Sequence, residues 1–128
     1  MTNVWIIDDE ESIRTICTSA LEDLFNVESF SSASEALLAL NSTKPDLIIT
    51  DIKMPGMSGL EFLDKVSEKF PNLPTIIITA HANIDNALSA YKGGAFEYLT
   101  KPFDINEIRM LAIKATKSSK PQKNDAAT

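Results

Sequence analysis

Val4-Trp5-Ile6-Ile7-Asp8-Asp9, residues 4–9, is a short apolar run that ends in two acids. Three further apolar runs also end in polar residues: Leu47–Ile49 leads through Thr50 into Asp51, Thr75–Ile78 ends at Thr79, and Ala95–Leu99 leads into Thr100-Lys101-Pro102. If these runs are parallel strands of one sheet, their polar ends gather at a single edge, where open α/β sheets keep their sites. The pattern therefore predicts the fold and the place of its functional site together.

Helical patterns alternate with these strands and with a weaker strand near Val27–Phe30. Apolar residues at steps of three and four predict five helices. The first carries Ile13, Ile16, Cys17, Ala20, Leu21 and Leu24 and is opened by Glu10, Glu11 and Ser12; the second starts from Ser32 or Ser34 and buries Ala36, Leu37 and Leu40. The third follows Gly59 and uses Leu60, Leu63 and Val66; the fourth uses Ile84, Ala87, Leu88 and Tyr91; the fifth begins near Asp104 and carries Ile108, Leu111, Ala112 and Ala115.

The first, third and fourth strands are continuous apolar runs without alternation, which indicates burial on both faces of a parallel sheet. Five βα units suit a doubly wound α/β fold of the flavodoxin type, with strand order 2-1-3-4-5 and helices on both faces. Right-handed crossovers leave few alternatives to this order. It sets Asp8 and Asp9 beside Asp51, with Thr79 one strand further out and Lys101 one strand beyond that.

Length and composition restrict the class of protein. The 128 residues suit one domain, and a net charge of −6 without a basic stripe argues against direct contact with nucleic acid. Cys17 is the single cysteine, which suits a cytoplasmic protein, and no apolar run reaches the length of a membrane span. We expect the domain over residues 1–117 and a flexible tail or linker over 118–128, where apolar periodicity ends.

The polar residues at the sheet edge match the chemistry of phosphoryl groups and divalent metals. Asp8, Asp9 and Asp51 would repel one another unless a cation lies among them, and Mg²⁺ accepts carboxylate oxygens readily. Lys101 is placed to hold a phosphoryl oxygen, and the Thr79 hydroxyl to donate to one. Each also has a purely structural interpretation, as a turn former, helix cap, surface lysine or buried strand residue. Their convergence favours the functional interpretation.

The set Asp8-Asp9, Asp51, Thr79 and Lys101-Pro102-Phe103, with Asp51-Ile-Lys-Met-Pro-Gly-Met-Ser-Gly59, resembles the receiver domain of bacterial two-component response regulators. The resemblance covers Asn3 to Lys117 in order and spacing. Two stretches, Ile-Thr-Ala-His81 and Ser-Ala-Tyr-Lys-Gly-Gly-Ala-Phe-Glu-Tyr-Leu-Thr-Lys-Pro-Phe-Asp104, are similar to the nitrogen regulatory protein C subfamily, whose members activate sigma-54 promoters.

This resemblance implies a role for each residue at the predicted sheet edge. Asp51 matches the phosphoacceptor, which takes a phosphoryl group from a histidine kinase. Asp8, Asp9 and the carbonyl of Lys53 match the groups that bind Mg²⁺ together with Asp51. Lys53 stands where some members have Asn, so the rate of self-dephosphorylation is not carried over from the family.

The same resemblance implies how the phosphoryl group is held and sensed. Thr79 and Lys101 match the hydroxyl and ammonium that bind the phosphoryl oxygens, and Tyr98 matches an aromatic switch residue that acts with Thr79. The Lys101–Pro102 peptide bond is expected to be cis. The fourth helix is expected to shift, because Asn83, Asn86 and Ser89 are weak helix formers.

Partners and output also follow from the resemblance. The implied partners are a sensor histidine kinase, an attached effector such as an AAA+ ATPase with a DNA-binding domain, and a second copy in a phosphorylation-dependent homodimer. The domain itself would be a signalling switch with Mg²⁺-dependent self-phosphotransfer and slow self-dephosphorylation, and no other enzyme activity. Its output surface would be the fourth helix, fifth strand and fifth helix.

Three other classes stay open on the sequence. A haloacid-dehalogenase enzyme also uses an Asp nucleophile and Mg²⁺, but it would have an acid where this chain has Lys53 and usually carries a cap domain. A flavodoxin-like cofactor protein needs a phosphate-cradling loop where Asp8-Asp9-Glu10-Glu11 would repel the phosphate of FMN. A pseudo-receiver that acts only as an interaction module would normally have lost one of the site residues.

Overall fold

Five strands and five helices alternate along the chain in a computed structural model that describes residues 2–118. The strands are β1 Asn3–Ile7, β2 Asn26–Phe30, β3 Leu47–Thr50, β4 Thr75–Thr79 and β5 Glu97–Thr100. The helices are α1 Glu11–Leu21, α2 Ala33–Ala39, α3 Gly59–Lys69, α4 Ile84–Lys92 and α5 Ile105–Ser118. Within this part of the chain, no helix has both the length and the apolar character needed to cross a membrane. From residue 119 on, the predicted tail lies outside the described residues.

The sheet is parallel throughout, and its strand order is β2-β1-β3-β4-β5, which confirms the predicted doubly wound fold. Register decides what meets at its carboxyl edge. Ile7 pairs with Thr50, so the residues that follow them, Asp8 and Asp51, leave neighbouring strands side by side. Thr79 pairs with Thr100 in the same way, which brings Lys101 to the same edge.

Helices cover both faces of the sheet. One core, which contains Val4 and Ile6, is shared with α1 and α5; a second, which contains Trp5 and Ile7, is shared with α2 and α3. Because the central strands are covered on both sides, β3 and β4 are buried along their whole length, and this explains their uninterrupted apolar sequence. Cys17 is also buried, as its place in the helical pattern predicts.

Four of the helices begin with a side-chain cap. The Ser32 hydroxyl accepts the backbone N–H of Glu35, Ser58 forms a capping box with Glu61, and Asn83 accepts the N–H of Asn86. Asp104, directly before α5, accepts the N–H of Asn106 at 2.8 Å. The prediction that Asn83 weakens α4 as a poor helix former is wrong, because Asn83 lies at the N-cap and stabilises the start of the helix. At α1 the N-cap residue is Glu10, whose side chain makes no capping hydrogen bond.

The predicted core face of α4 is wrong in orientation. Ile84, Leu88 and Tyr91 are exposed over 78%, 52% and 46% of their surface, and Ala90 is the fully buried residue of the helix. Ala90 packs in a cluster with Leu63 and Ile77, together with the flanking aromatic ring of Tyr98. Periodicity identified an apolar stripe correctly, but the side on which a helix docks depends on what it docks against. Ile16 of α1 is likewise exposed, contrary to its prediction.

The loop between β3 and α3 passes directly against the backbone of Asp51. The backbone N–H of Gly59 donates to the carbonyl oxygen of Ile52 at 2.8 Å, and a Cβ atom at Gly59 would overlap the carbonyl oxygen of Asp51. Gly56, in the same loop, has a φ of +81° but open space around its missing Cβ. Gly59 is thus required by close approach, and Gly56 by backbone conformation alone.

We predict that Gly59→Ala destabilises the domain by about 3 kcal/mol, because the new methyl group collides with backbone that cannot move without displacing Asp51. Gly56→Ala is the matched control and should cost about 1 kcal/mol, the penalty for a left-handed conformation without a collision. Urea unfolding of the three proteins measures both values. Equal losses for the two variants would contradict the role assigned to Gly59.

Candidate functional site

Three carboxylates meet at the carboxyl edge of β1 and β3. Asp8 is completely buried, Asp51 is 5% exposed, and Asp9 lies at the surface. One carboxylate oxygen from each of them lies within 4.8 Å of the other two. The backbone N–H of Asp51 donates to the carbonyl oxygen of Ile7 at 3.0 Å, so the pairing of the two strands continues into the site and fixes the spacing of the acids.

Lys101 reaches into this cluster from the end of β5. Its Nζ atom lies 2.8 Å from Oδ2 of Asp8, 3.1 Å from Oδ2 of Asp51 and 3.2 Å from Oε1 of Glu10. The Lys101 side chain is only 9% exposed. Its backbone N–H donates to the carbonyl oxygen of Thr79 at 2.8 Å, and its peptide bond to Pro102 is cis, as expected. All three ammonium donors therefore have carboxylate acceptors.

Backbone groups hold the second oxygen of each buried acid. Oδ1 of Asp8 accepts the N–H of Glu10 at 2.9 Å, and Oδ1 of Asp51 accepts the N–H of Ile52 at 2.7 Å. Both buried carboxylates are thus oriented by hydrogen bonds at both oxygens. Between residues 2 and 118, the Asp9 carboxylate has no hydrogen-bond or ion-pair partner. Of the three acids, Asp9 is therefore the one that the protein stabilises least when no metal is bound.

Burial and pairing act in opposite directions on the ionisation of this site. Burial raises the pKa of Asp8, and the hydrogen bonds from Lys101 and from the Glu10 backbone only partly offset that rise. Burial lowers the pKa of Lys101, but hydrogen bonds and charge attraction to Asp8 and Asp51 outweigh it and raise the pKa overall. Lys101 therefore stays charged at neutral pH. One ammonium faces four carboxylates, which leaves an excess of negative charge.

The donor set fits a hard divalent cation. Asp8, Asp9 and Asp51 supply carboxylate oxygens within one ion's reach, and Asp9 keeps one side of the cluster open to water. Mg²⁺ takes a few such oxygens and retains several waters. Lys53, whose carbonyl is the fourth expected ligand, lies with its side chain exposed in the loop after Asp51. Within residues 2–118 that carbonyl accepts no hydrogen bond.

Thr79 and Tyr98 take no part in the ion pairs of the site. Thr79 is buried, and its Oγ1 accepts the backbone N–H of His81 at 3.0 Å. Within the described chain, no hydrogen bond links the Thr79 side chain to Asp51 or Lys101. The hydroxyl of Tyr98 is buried and has no hydrogen-bond partner in the part of the chain that the structure describes, and its ring centroid lies 6.4 Å from that of Tyr91. His81 is an exposed loop residue.

Two residues of the site carry no signal of their role in the sequence pattern. Glu10 is predicted only as a favourable charge at the start of a helix, yet it is an ion-pair partner of Lys101. Arg14 donates from Nη1 to the carbonyl oxygen of Asp8 at 2.7 Å and so helps to hold the turn that carries the acids. Glu10 follows Asp9 directly in the sequence. Its contact with Lys101, 91 positions away, arises because the sheet brings the ends of β1 and β5 to the same edge.

Comparisons with known proteins show which family the chain is similar to. Residues 4–113 match the family described as response regulator receiver domain. The chain is 44% identical over 122 residues to the DNA-binding transcriptional regulator NtrC of Proteus hauseri, covering 94% of this chain and 26% of that protein. It therefore spans about a quarter of the length of that relative.

Solved structures of similar proteins share the fold. The crystal structure of NtrX from Brucella abortus in complex with ADP superposes with a TM-score of 0.90 at 32% identity, covering 98% of this chain and 30% of that one. A CheY-like response regulator receiver domain protein from Methanospirillum hungatei gives a TM-score of 0.91 at 25% identity, covering 95% of this chain and 98% of that one.

We predict that Asp9→Asn raises the melting temperature of the domain in EDTA by about 3 °C, because it removes the one crowded acid that lacks a partner. Asp64→Asn, at an exposed position of α3, removes the same charge away from the site and should change the melting temperature by less than about 1 °C. Millimolar Mg²⁺ should stabilise the parent and erase the advantage of the Asp9 variant. A variant no more stable than the parent in EDTA would contradict this account of the cluster.

Proposed function

The chain belongs to the response regulator receiver domain family and is similar to NtrC-like regulators, and on that premise we propose that Asp51 is its phosphoacceptor. One observation carries the proposal. The ammonium of Lys101 lies within hydrogen-bond distance of Asp8 and Asp51 at once, beside carboxylates suited to a divalent cation. A phosphoryl group placed on Asp51 would therefore meet cationic groups on two sides.

The proposed reaction transfers a phosphoryl group from a phosphohistidine of a sensor kinase. An oxygen of the Asp51 carboxylate attacks phosphorus; the new O–P bond forms as the P–N bond breaks, and the electron pair of that bond stays on the imidazole nitrogen. Ile52 orients the nucleophile through its backbone N–H, which holds Oδ1 and leaves Oδ2 as the oxygen next to Lys101. The domain thus contributes positioning and charge, and the donor contributes the leaving group.

The remaining site residues have proposed roles around the transferred group. Mg²⁺, bound by Asp8, Asp9 and Asp51 with the carbonyl of Lys53, would supply charge neutralisation for the phosphoryl oxygens. Lys101 would donate to one phosphoryl oxygen, and the Thr79 hydroxyl, which accepts the His81 N–H through its oxygen, would donate its proton to another. Slow hydrolysis of the acyl phosphate would return the switch to its resting state. No other enzymatic reaction is proposed for the domain.

A change at Thr79 and Lys101 would reach the surface through the segment between them. Phosphorylation adds roughly −1.5 to −2 of charge and favours whichever conformation brings these two residues toward it. Tyr98 lies within the segment, and among residues 2–118 its buried hydroxyl has no hydrogen-bond partner, so a change of its ring position would cost no hydrogen bond there. We propose α4, β5 and α5 as the output surface.

The exposed side chains of that surface fit the proposed output. Ile84, Leu88 and Tyr91 on α4 already present apolar area to solvent, which supports contact with a second copy or with an attached effector domain. The much greater length of the relatives supports an effector, for which an AAA+ ATPase with a DNA-binding domain acting at sigma-54 promoters is the proposed identity. The receiver domain itself is not proposed to touch nucleic acid.

We predict that acetyl phosphate with Mg²⁺ adds one phosphoryl group to the domain, detected as a mass increase, and that Asp51→Asn abolishes it. Asp64→Asn is the matched control, an exposed acid whose loss should leave uptake unchanged. Uptake that persists in the Asp51 variant would move the phosphorylation site elsewhere. No uptake by the parent would indicate an interaction module without phosphotransfer.

We also predict that beryllofluoride with Mg²⁺ changes hydrogen exchange in residues 80–100, since Thr79 and Lys101 flank this segment and both are drawn toward the bound anion. Fluorine NMR establishes occupancy of Asp51, and the Asp51→Asn protein provides the baseline without binding. Unchanged protection of residues 80–100 in a fully occupied protein would rule out the proposed switch.

A further inference from the structure

The Glu10 carboxylate is committed to Lys101 rather than to its own helix. It occupies the N-cap position of α1, where short polar side chains commonly bond the first backbone N–H groups, but it makes no such bond. Its Oε1 atom lies 3.2 Å from Nζ of Lys101. Over residues 2–118 this is the carboxylate's single hydrogen-bond or ion-pair contact.

Lys101 has no donor to spare in this arrangement. An ammonium group carries three N–H donors, and Asp8, Asp51 and Glu10 accept all three. A phosphoryl oxygen bound by Lys101 must therefore displace one of these acceptors. Because the displaced acceptor gives up a charged hydrogen bond, the binding of any anion at Asp51 includes the cost of this exchange.

The contact with Glu10 is the one most easily given up. It is the longest of the three, and the Glu10 side chain is 59% exposed, whereas those of Asp8 and Asp51 are 0% and 7% exposed. A carboxylate that regains water on leaving an ion pair loses little, but a buried one loses much. A carboxylate and a phosphoryl group carry charge of the same sign, so Glu10 also repels the group that takes its place.

We propose that Glu10 is a positioning residue that holds the third donor of Lys101 in the resting state and competes with the phosphoryl group for it. This inference rests on the proposed function of Asp51 and Lys101 and deepens it. Glu10 thereby weakens anion binding at Asp51 and favours the resting state of the switch. The effect is local, because it acts through one shared ammonium.

The neighbouring residue provides a matched control. Glu11 is also an exposed acid at the start of α1, and its carboxylate makes no contact with Lys101. Glu10→Gln and Glu11→Gln remove the same charge one residue apart. A purely long-range electrostatic effect would appear in both variants, whereas competition for Lys101 would appear in the Glu10 variant alone.

The test is a beryllofluoride titration at saturating Mg²⁺, followed by fluorine NMR. We expect Glu10→Gln to bind the anion about threefold more tightly than the parent, the size expected for loss of one solvent-exposed ion pair. Glu11→Gln should bind it as the parent does. With Mg²⁺ alone, Glu10→Gln should bind the metal equally or more weakly, since the cluster has lost negative charge. A general loosening of the fold would weaken both ligands and so would not reproduce this pattern.

A double-mutant cycle tests whether the effect passes through Lys101. In a Lys101→Met background, Glu10→Gln should no longer change anion affinity, because the shared donor is gone. The Nζ resonance of Lys101 in nitrogen NMR should shift in Glu10→Gln and stay in place in Glu11→Gln. These readouts report on the ammonium itself and would not follow from a structural role of Glu10.

Three outcomes would overturn the inference: anion affinity unchanged in Glu10→Gln, an equal gain in Glu11→Gln, or a gain that persists without Lys101. Failure of the proposed function is distinguishable from these, because the parent protein would then show no beryllofluoride signal at all. If the parent binds the anion and Glu10→Gln binds it with the same affinity, the role of Glu10 is rejected and the proposed function of Asp51 is not.

Discussion

One ammonium shared among buried carboxylates holds the carboxyl edge of this sheet together. Asp8 and Asp51 lie almost out of contact with water, and buried acids are tolerated only when a cation and hydrogen bonds compensate them. Lys101 supplies the cation from the end of β5, at the same edge of the sheet, and backbone N–H groups hold the remaining oxygens. Because negative charge remains in excess, the edge is prepared for a further cation and is not neutral without one.

This constraint links the site to the rest of the fold. Lys101 directly follows β5, so its backbone is joined to the strand that carries Tyr98. The pairing of Thr79 with Thr100 ties the same strand to β4. Between these fixed ends lies α4, which buries only Ala90 and leaves its larger apolar side chains in water. A site with excess charge is thus connected to the least buried helix by one short segment.

The sequence predicted the sheet well because burial on both faces leaves a plain signature. An uninterrupted apolar run as short as Ile76–Ile78 suits a strand covered on both sides, and parallel strands impose one edge for their polar ends. The helix patterns were less reliable. α4 carries an apolar stripe of the right period, but the stripe faces solvent because the small Ala90 allows closer docking on Leu63 and Ile77. Asn83 has low helix propensity, yet at the N-cap the same short amide stabilises the helix.

Sequence alone determined which residues gather at the carboxyl edge, since strand polarity and order follow from pattern and from chain connectivity. It did not determine which of them touch. The ion pair between Glu10 and Lys101, the hydrogen bond from Arg14 to Asp8 and the engagement of the Thr79 hydroxyl with His81 depend on side-chain reach across several strands. Such contacts are fixed by register and packing, to within an ångström, and no local pattern encodes them. The tertiary structure therefore decided how the charges are shared, because distance governs the strength of every interaction among them.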